Sequence, residues 1–338
     1  MKISFIEPHL KVYGGVRTVI ELANRLIERG HDVTIFHSNG SPCRWLKCSA
    51  GIKSYLEALR EDHEVIIYNS LHPADHYMVK RVSASLKVFF IFGLYEKQYL
   101  TGKIPASNFL LDTRNSLRAV FLKKSLASPC LKLAHSTWMC HWLKQNMNID
   151  VRLVIHGVSF DVFHPVEVKK DPGAIRILCS GDPREFKRTP VITEAMEIVT
   201  GARPEVALDT YHGKGIPQEE MAKVYSSADI FLDAQRHGGW NNPVAEAMAC
   251  KTPVVCTNIG AVQDFAIHEE TALLVALNDP GAMASAVLRL IDDKALRERL
   301  RENAYRHIGQ FGWDRSAKAL EEILETELKK KNDQIKDI

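Results

Sequence analysis

In the first part of the chain, short apolar runs typical of buried strands alternate with a segment in which apolar residues recur at helical spacing. Residues 2–7 form a short apolar run that predicts a strand, and residues 17–29 place apolar side chains at helical spacing. Gly30 ends that helix, and residues 31–36 form the next apolar run. A strand, a helix and a second strand in this order form a βαβ unit, which implies a parallel sheet with a right-handed crossover. Further buried strands are predicted at residues 65–68, 88–92, 131–134 and 152–155.

The same alternation restarts after residues 157–165, where a glycine and a proline predict an interdomain linker. Strands are predicted at 175–179, 206–209, 230–232 and 254–256, and helices at 190–200, 219–227, 243–249, 282–291, 294–308 and 314–331. We therefore predict an α/β protein with two doubly wound domains, residues 1–160 and 161–310. Residues 311–338 form a closing amphipathic helix with a polar tail. Such folds bind ligands beyond the carboxyl ends of their strands.

Composition narrows the class of protein. The 338 residues are 46% hydrophobic and 25% charged, which is typical of a soluble enzyme of about two domains. The net charge of +3 is too small to indicate nucleic-acid binding. Seven irregularly spaced cysteines favour free thiols in a reducing compartment. The start of the chain does not resemble a secretory signal and no run of 18 apolar residues occurs, so we expect a cytoplasmic protein.

The stretch GGWNNPVAEAMACKTPVVC, residues 238–256, is the most informative for function. We expect Glu246 in the first turn of a helix that follows a polar loop. Free N–H groups at such a helix start favour an anion, and a carboxylate can accept two protons from a ribose diol. Trp240, Asn241 and Asn242 add ligand-like groups to this loop. The structural alternative is that Glu246 only complements the helix dipole.

A second candidate is the loop GDPREFKR, residues 181–188, which follows a predicted strand and carries Arg184, Lys187 and Arg188. Three cations at the end of a strand suit a diphosphate, although a solvated loop is the alternative. The pair Gly14 and Gly15, between the first strand and helix, allows a backbone to approach a phosphate or an acceptor, or simply forms a tight turn. The stricter GxGxxG pattern is absent there, which argues against a nicotinamide dehydrogenase.

Two further features concern membranes and metals. The segment 114–144 contains six basic residues and no acid, so it predicts either a surface for anionic lipid or a solvated helix face. The basic residues are Arg114, Arg118, Lys123, Lys124, Lys132 and Lys144. No D-x-D motif occurs, and His156, His212 and His237 lack metal-ligand spacing, so we predict no metal site.

These segments together resemble the retaining glycosyltransferases of family GT4, which have the GT-B fold. The resemblance covers nearly the whole chain: GGVRTVIELANRLIERGHDVTIF, the linker HGVSFDVFHP, PVAEAMACKTPVVCTNIGAVQDFAIHEETALLV and the closing FGWDRSAKALEEIL. It implies two Rossmann-like domains facing a cleft, with the acceptor on the first, the nucleotide-sugar donor on the second, and the closing helix crossing back to the first. His156 and Ser159 depart from the family's linker pattern.

The resemblance also implies residue roles. Lys187 matches the lysine on the donor diphosphate, and Glu246 matches the second glutamate of the E-x7-E signature, which holds the ribose. The first glutamate of that signature is Gly238 here, and the usual arginine is Asp182, for which Arg184 or Arg188 substitutes. No histidine stands near Phe92, where the family places one, and Glu96 is the nearest polar residue. The implied catalytic residues are Lys187, Arg184 and Glu96. The implied donor-binding residues are Gly15, Gly181, Arg188, His237, Gly238, Gly239, Trp240, Asn241, Asn242 and Glu246.

The function implied is retaining, metal-independent transfer from a nucleotide-diphosphate sugar to a glycan or lipid-linked acceptor, in polysaccharide or cell-envelope glycan synthesis. No cofactor beyond the co-substrate is expected. Peripheral contact with the inner face of the membrane through segment 114–144 is a further expectation. Two alternatives remain open at this point: a catalytically impaired homologue that binds nucleotide sugars, and a GT-B epimerase or phosphorylase.

Overall fold

The computed structural model describes residues 1–69, 73–94, 109–170 and 173–336. The chain divides into two compact units. The first unit comprises residues 1–157 and 313–338, and the second comprises residues 158–312. The sequence prediction set these boundaries at residues 160 and 310.

The first unit is built on a parallel sheet. Its described strands are β1 (Lys2–Ile6), β2 (Asp32–His37), β3 (Gly51–Ser54), β4 (His63–Tyr68), β5 (Ala84–Ile91), β6 (Leu131–Ala134) and β7 (Arg152–Leu153). Its described helices are α1 (Gly14–Glu28), α2 (Tyr55–Ala58), α3 (Pro73–Arg81), α4 (Phe109–Ala127) and α5 (Thr137–Met147). The strand order is β3-β2-β1-β4-β5-β6-β7, with every neighbouring pair parallel. The direction of winding therefore reverses between β1 and β4.

The second unit repeats this arrangement on a smaller scale. Its strands are β8 (Ile175–Cys179), β9 (Val206–Thr210), β10 (Ile230–Asp233), β11 (Val254–Thr257) and β12 (Leu273–Val275). Its helices are α6 (Thr189–Ala202), α7 (Met221–Ser226), α8 (Asn242–Ala249), α9 (Pro280–Asp292) and α10 (Lys294–Ile308). The strand order β12-β11-β10-β8-β9 is parallel throughout, so winding reverses between β8 and β10. The predicted doubly wound α/β fold is confirmed in both units.

The closing helix α11 (Trp313–Lys336) belongs to the first unit and packs on α1. Leu320 and Leu324 of α11 are fully buried in one core with Leu22 and Leu26 of α1. This burial of an apolar helix face confirms the predicted return of the closing helix to the first domain.

Several predicted elements differ from the structure. α1 begins at Gly14 rather than at residue 17, so the glycine pair forms the first helical turn instead of a loop. The extended backbone of Tyr13 precedes it, and no side chain caps it. β3 was missed because it is an edge strand with mixed exposure, and β12 because it has only three residues. Neither strand is long enough to show a clear period.

The structure also bears on thiols, metals and membranes. All seven cysteines are free thiols, as predicted. Within the described residues, no group of three or more His, Cys, Asp or Glu side chains is arranged to hold a metal ion. No helix in the described ranges is both long enough and apolar enough to cross a membrane.

The basic segment 114–144 does not form one surface. It extends over α4, β6 and α5. Lys132 donates to two backbone carbonyl oxygens at 2.9 and 3.1 Å, and Lys144 forms an ion pair at 2.8 Å. Lys123 and Lys124 are exposed on α4 beside Val120, whereas Leu122 and Leu126 of the same helix are buried. The candidate lipid surface is therefore reduced to part of α4.

Candidate donor site

The carboxyl ends of β8 and β10 meet where the second unit reverses its winding. Lys187 comes from the loop after β8, and Gln235 comes from the loop after β10. The Lys187 Nζ lies 2.5 Å from the Gln235 Oε1. Because doubly wound sheets bind ligands at such a reversal, these two loops form the candidate site.

Lys187 is a buried cation, with 8% of its surface exposed. It ends a short 3-10 turn, Glu185–Lys187, and its ammonium lies 5.6 Å from the ring centroid of Phe186. Its hydrogen-bond partner, the Gln235 amide, is neutral and does not cancel its charge. An ammonium with little access to water attracts an anion more strongly than a solvated one. This placement suits the diphosphate role that the sequence predicted.

Arg184 and Arg188 have other partners. The Arg184 Nε lies 3.0 and 2.9 Å from the two carboxylate oxygens of Asp182. Burial would raise the pKa of Asp182, but the hydrogen bonds and charge of Arg184 hold this pKa below its ordinary value. The Arg188 Nε donates to the Asn278 Oδ1 at 2.9 Å. A donor diphosphate would compete with these contacts, so the substitution of either arginine for the family's arginine stays a prediction.

Asp233 organises the loop after β10, although sequence analysis did not single it out. Its Oδ1 accepts from the Gln235 backbone N–H at 3.0 Å and from the Asn241 Nδ2 at 2.7 Å. Asp233 and Asn241 are both buried. Gly238 is half-buried and Gly239 is buried within the same loop. An acid that directly ends a buried strand is the sequence feature that could have revealed this role.

The aromatic residues of this loop pack within the second unit. Trp240 is 8% exposed, and its ring centroid lies 4.4 Å from that of Phe265 and 5.8 Å from that of Phe311. The His237 ring stacks on Phe186 at 5.4 Å. This packing assigns Trp240 a core role, and its predicted donor contact stays a prediction.

Gly181 is the second residue of the loop after β8, and steric constraints favour glycine at this position. Its φ is +69°, and a Cβ there would lie 2.6 Å from the Thr210 Cβ. A side chain at this position would therefore push β8 and β9 apart at their carboxyl ends. The conformation explains the glycine whether or not a donor is bound.

Glu246 lies deeper in its helix than predicted. α8 begins at Asn242, which puts Glu246 in the second turn, and no acidic residue stands in the first turn. Dipole complementarity therefore does not explain this glutamate, because that effect falls off within the first turn. Glu246 is 8% exposed, and its Oε2 accepts from the Tyr225 hydroxyl at 2.8 Å. The Tyr225 and Tyr211 hydroxyl oxygens are 3.1 Å apart.

Tyr225, whose hydroxyl contacts that of Tyr211, holds the Glu246 carboxylate in place. Burial, then the charge of Glu246, raises the pKa of Tyr225 well above its ordinary value, so this hydroxyl keeps its proton and donates it. Burial likewise raises the pKa of Tyr211. Sequence analysis missed both tyrosines, because nothing in their local sequence distinguishes them from ordinary apolar core residues.

A second polar cluster lies at the β1–β4 reversal of the first unit, and sequence analysis did not predict it. The Asn69 side-chain amide donates to the Glu7 carboxylate. The Tyr55 hydroxyl contacts the Glu7 backbone oxygen at 2.7 Å and also the Asp75 carboxylate. Glu7 is 3% exposed and Asp75 is 1% exposed. Burial, opposed by Asn69 and reinforced by the charge of Asp75, raises the pKa of Glu7 from 4.5 to about 8.

This shift predicts a pH-dependent stability. The pKa of Glu7 is about 8 in the fold and 4.5 ordinarily, so between these values only the unfolded chain ionises. The free energy of unfolding should fall across that window by up to about 1.4 kcal/mol per pH unit. Glu7→Gln keeps an acceptor for Asn69 but cannot ionise, and it should flatten this slope.

Urea unfolding at pH 5, 6.5 and 8 measures the slope for both proteins. The control is Glu28→Gln, whose side chain is 61% exposed on α1 and which should keep the slope of the wild type. Equal slopes for the wild type and Glu7→Gln would show that Glu7 does not titrate in this window.

Gly15 and a pair of histidines lie at the same edge of the first sheet. A Cβ at Gly15 would come 3.2 Å from the Phe92 ring, so glycine permits α1 to approach the end of β5. The His135 ring stacks on Phe92 at 5.4 Å and lies 5.1 Å from the His156 ring. Burial, then the charge of His135, holds the pKa of His156 well below its ordinary value. The predicted catalytic residue Glu96 lies outside the described residues.

Comparison with known proteins supports the assignment of the second unit. Residues 161–293 match the family model described as glycosyl transferases group 1. This part of the chain is therefore similar to the group 1 glycosyltransferases. A D-inositol 3-phosphate glycosyltransferase of Corynebacterium urealyticum is 34% identical over 107 residues, which are 32% of this chain. The match spans only 25% of that relative's length.

Solved structures extend the similarity to nearly the whole chain. Sucrose-phosphate synthase of Thermosynechococcus elongatus has a TM-score of 0.75 at 18% identity, covering 96% of this chain and 98% of its own. HepE of Anabaena, solved with UDP-glucose, has a TM-score of 0.69 at 13% identity, covering 96% and 100%. At these identities the likeness shows the fold alone, and it confirms the predicted GT-B fold.

Proposed function

We propose that the chain transfers a glycosyl group from a nucleotide-diphosphate sugar to a glycan or lipid-linked acceptor, in the synthesis of polysaccharide or cell-envelope glycans. The observation that carries the proposal is the buried Lys187 ammonium at the reversal point of the second sheet. Glu246 supports it as a buried acceptor for the ribose hydroxyls on the neighbouring helix. The names of the relatives agree: one is a D-inositol 3-phosphate glycosyltransferase, and one structure contains UDP-glucose.

In the proposed reaction the bond between the anomeric carbon and the β-phosphate oxygen breaks. The acceptor hydroxyl oxygen bonds to the same face of that carbon, and its proton passes to the departing phosphate oxygen, so configuration is retained. Negative charge grows on the leaving diphosphate, and the Lys187 ammonium stabilises it electrostatically. Because this side chain supplies the positive charge, the proposed mechanism requires no metal ion.

The acceptor is assigned to the first unit. Gly15 lies at this edge of the sheet, in the first turn of α1 and close to the Phe92 ring. The Glu7 cluster at the β1–β4 reversal supplies buried polar groups at the same edge of the sheet. Glu96 stays the predicted polar residue near the reacting sugar.

The proposal is tested by incubating the full chain with UDP-, GDP-, ADP- and dTDP-sugars, with EDTA present, and a polyprenyl-phosphate-linked or oligosaccharide acceptor. Release of nucleotide with formation of a product of retained anomeric configuration, followed by NMR, supports it. Binding of donors with no turnover supports the impaired homologue, and interconversion of the donor sugar supports an epimerase. Binding of no nucleotide sugar contradicts the proposal.

Peripheral membrane contact on the cytoplasmic face is proposed through the exposed part of α4. Lys123 and Lys124 are its exposed cations, beside Val120, which is 46% exposed. Lys123→Gln with Lys124→Gln should reduce binding to vesicles of phosphatidylglycerol and phosphatidylcholine about thirtyfold, at about 1 kcal/mol per cation. The matched control is Lys318→Gln with Lys329→Gln on α11, which removes the same charge elsewhere. Equal binding of wild type and the α4 variant would exclude this surface.

A further inference from the structure

Gln235 fills the space beside Gly238. A Cβ built on Gly238 would overlap the Nε2 atom of Gln235. The chain therefore has no side chain at position 238 and places a neutral amide against the backbone there. Gln235 is 3% exposed, which makes it a buried polar group whose contacts have to be specific.

The orientation of this amide follows from Lys187. An ammonium only donates hydrogen bonds, so the Gln235 atom 2.5 Å from Nζ must be the oxygen. The amide nitrogen is then on the other side of the group, next to Gly238. A carboxylate at this place would present acceptors, whereas the amide presents two N–H donors.

The backbone of Gln235 is fixed on both sides. Its N–H donates to the Asp233 Oδ1 at 3.0 Å, and its carbonyl oxygen accepts from the Thr257 hydroxyl at 2.6 Å. Asp233 and Thr257 end the neighbouring strands β10 and β11, and both are buried. Residues of two strands therefore hold the Gln235 backbone, and Lys187 holds its side-chain oxygen, before any ligand binds. This order reduces the conformational entropy lost on binding.

We propose that Gln235 determines the donor-sugar specificity of this site. The inference rests on the proposed function. The amide N–H groups beside Gly238 favour a sugar that offers a carbonyl or carboxylate oxygen, as in an N-acylamino sugar or a uronic acid, over a sugar with hydroxyl groups alone. Through its oxygen, Gln235 also positions the Lys187 ammonium for the diphosphate.

The test compares three donors on one nucleoside diphosphate, chosen from UDP, GDP, ADP and dTDP by the affinity of the wild type. The sugars are glucose, N-acetylglucosamine and glucuronic acid. We expect the wild type to bind one of the last two at least tenfold more tightly than the glucose donor, as for a hydrogen bond to a well-placed acceptor. Because all three donors share a base, the ratio reports the sugar alone.

Gln235→Glu replaces the N–H donors with a carboxylate of the same shape and should abolish or reverse this preference. The matched control is Gln263→Glu, an exposed glutamine of the second unit, which should keep the wild-type ranking. A Gln235→Glu protein with the wild-type ranking of the three sugars would overturn the inference, as would a wild type that prefers the glucose donor. Failure of the wild type to bind any nucleotide sugar contradicts the proposed function instead.

A second pair of variants separates specificity from folding. Gly238→Ala should displace the Gln235 amide, lower the melting temperature and weaken the sugar preference. Gly238→Ala combined with Gln235→Ala removes the overlap but also the hydrogen-bond partner of Lys187, so the sugar preference should stay lost in the folded double variant. Recovery of the preference in the double variant would mean that Gln235 does not select the sugar.

Discussion

Lys187→Ala is expected to lower kcat/KM for the nucleotide-sugar donor by a factor on the order of 10²–10³, the range seen when a group that stabilises developing negative charge is removed. The Nζ lies against the neutral Gln235 amide with little exposure to water, so its charge is directed to the ligand rather than solvated or cancelled. Steady-state kinetics on the preferred donor measure the effect.

Binding measurements show whether the loss of kcat/KM in Lys187→Ala arises from the contact with the diphosphate. Lys187→Ala should weaken the binding of the nucleoside diphosphate but not of the nucleoside, because only the former carries the anion. Lys223→Ala, an exposed lysine on α7, is the matched control and should leave both affinities unchanged. Thermal unfolding must accompany the assay, since Gln235 loses its partner in the variant. Unchanged diphosphate affinity and turnover in a folded Lys187→Ala protein would show that the diphosphate binds elsewhere.

The fold could be predicted from sequence because its strands are short apolar runs and its larger helices have clear periodicity. β8 was predicted with its observed bounds and β10 within one residue of them, and these two strands position the site. The elements with a weak hydrophobic pattern were not predicted. β3 is an edge strand and β12 has three residues, so neither has enough alternating positions to show a period.

The site was predictable only in part. Lys187 stands out because a cationic loop follows a strand, and Glu246 because a single acid interrupts an Ala-rich helix. Their partners are distant in sequence: Gln235 is 48 residues from Lys187, and Tyr225 is 21 residues from Glu246. Such pairs come together only through strand order, which the chain does not display locally. The same holds for Glu7 and Asn69, which meet because β1 and β4 are neighbours.

Gly181 and Gly238 lack a side chain for different structural reasons. Gly181 is explained by its positive φ and by Thr210, without any ligand. Gly238 has no such backbone requirement and is explained by the amide of Gln235 beside it. The first glycine is therefore required by the fold, whereas the second makes room for the Gln235 amide.

Glu246→Gln is expected to weaken binding of the nucleoside diphosphate by a factor on the order of 10 to 100, the range for a hydrogen bond to a charged group. The Tyr225 hydroxyl donates to one carboxylate oxygen at 2.8 Å and holds the group in place, so a ribose diol would meet a fixed acceptor. An amide accepts at one atom only, so it cannot serve both Tyr225 and two ribose hydroxyls.

Deoxynucleotides make this test specific for the ribose. The wild type should lose affinity when the 2′- and 3′-hydroxyl groups are removed from the nucleoside diphosphate, whereas Glu246→Gln should bind both forms almost equally. Glu219→Gln, an exposed acid in the turn before α7, is the matched control and should keep the full difference. If Glu246→Gln discriminated between the two nucleotides as well as the wild type does, Glu246 would not contact the ribose. Its buried bond to Tyr225 would then be a structural link between α7 and α8.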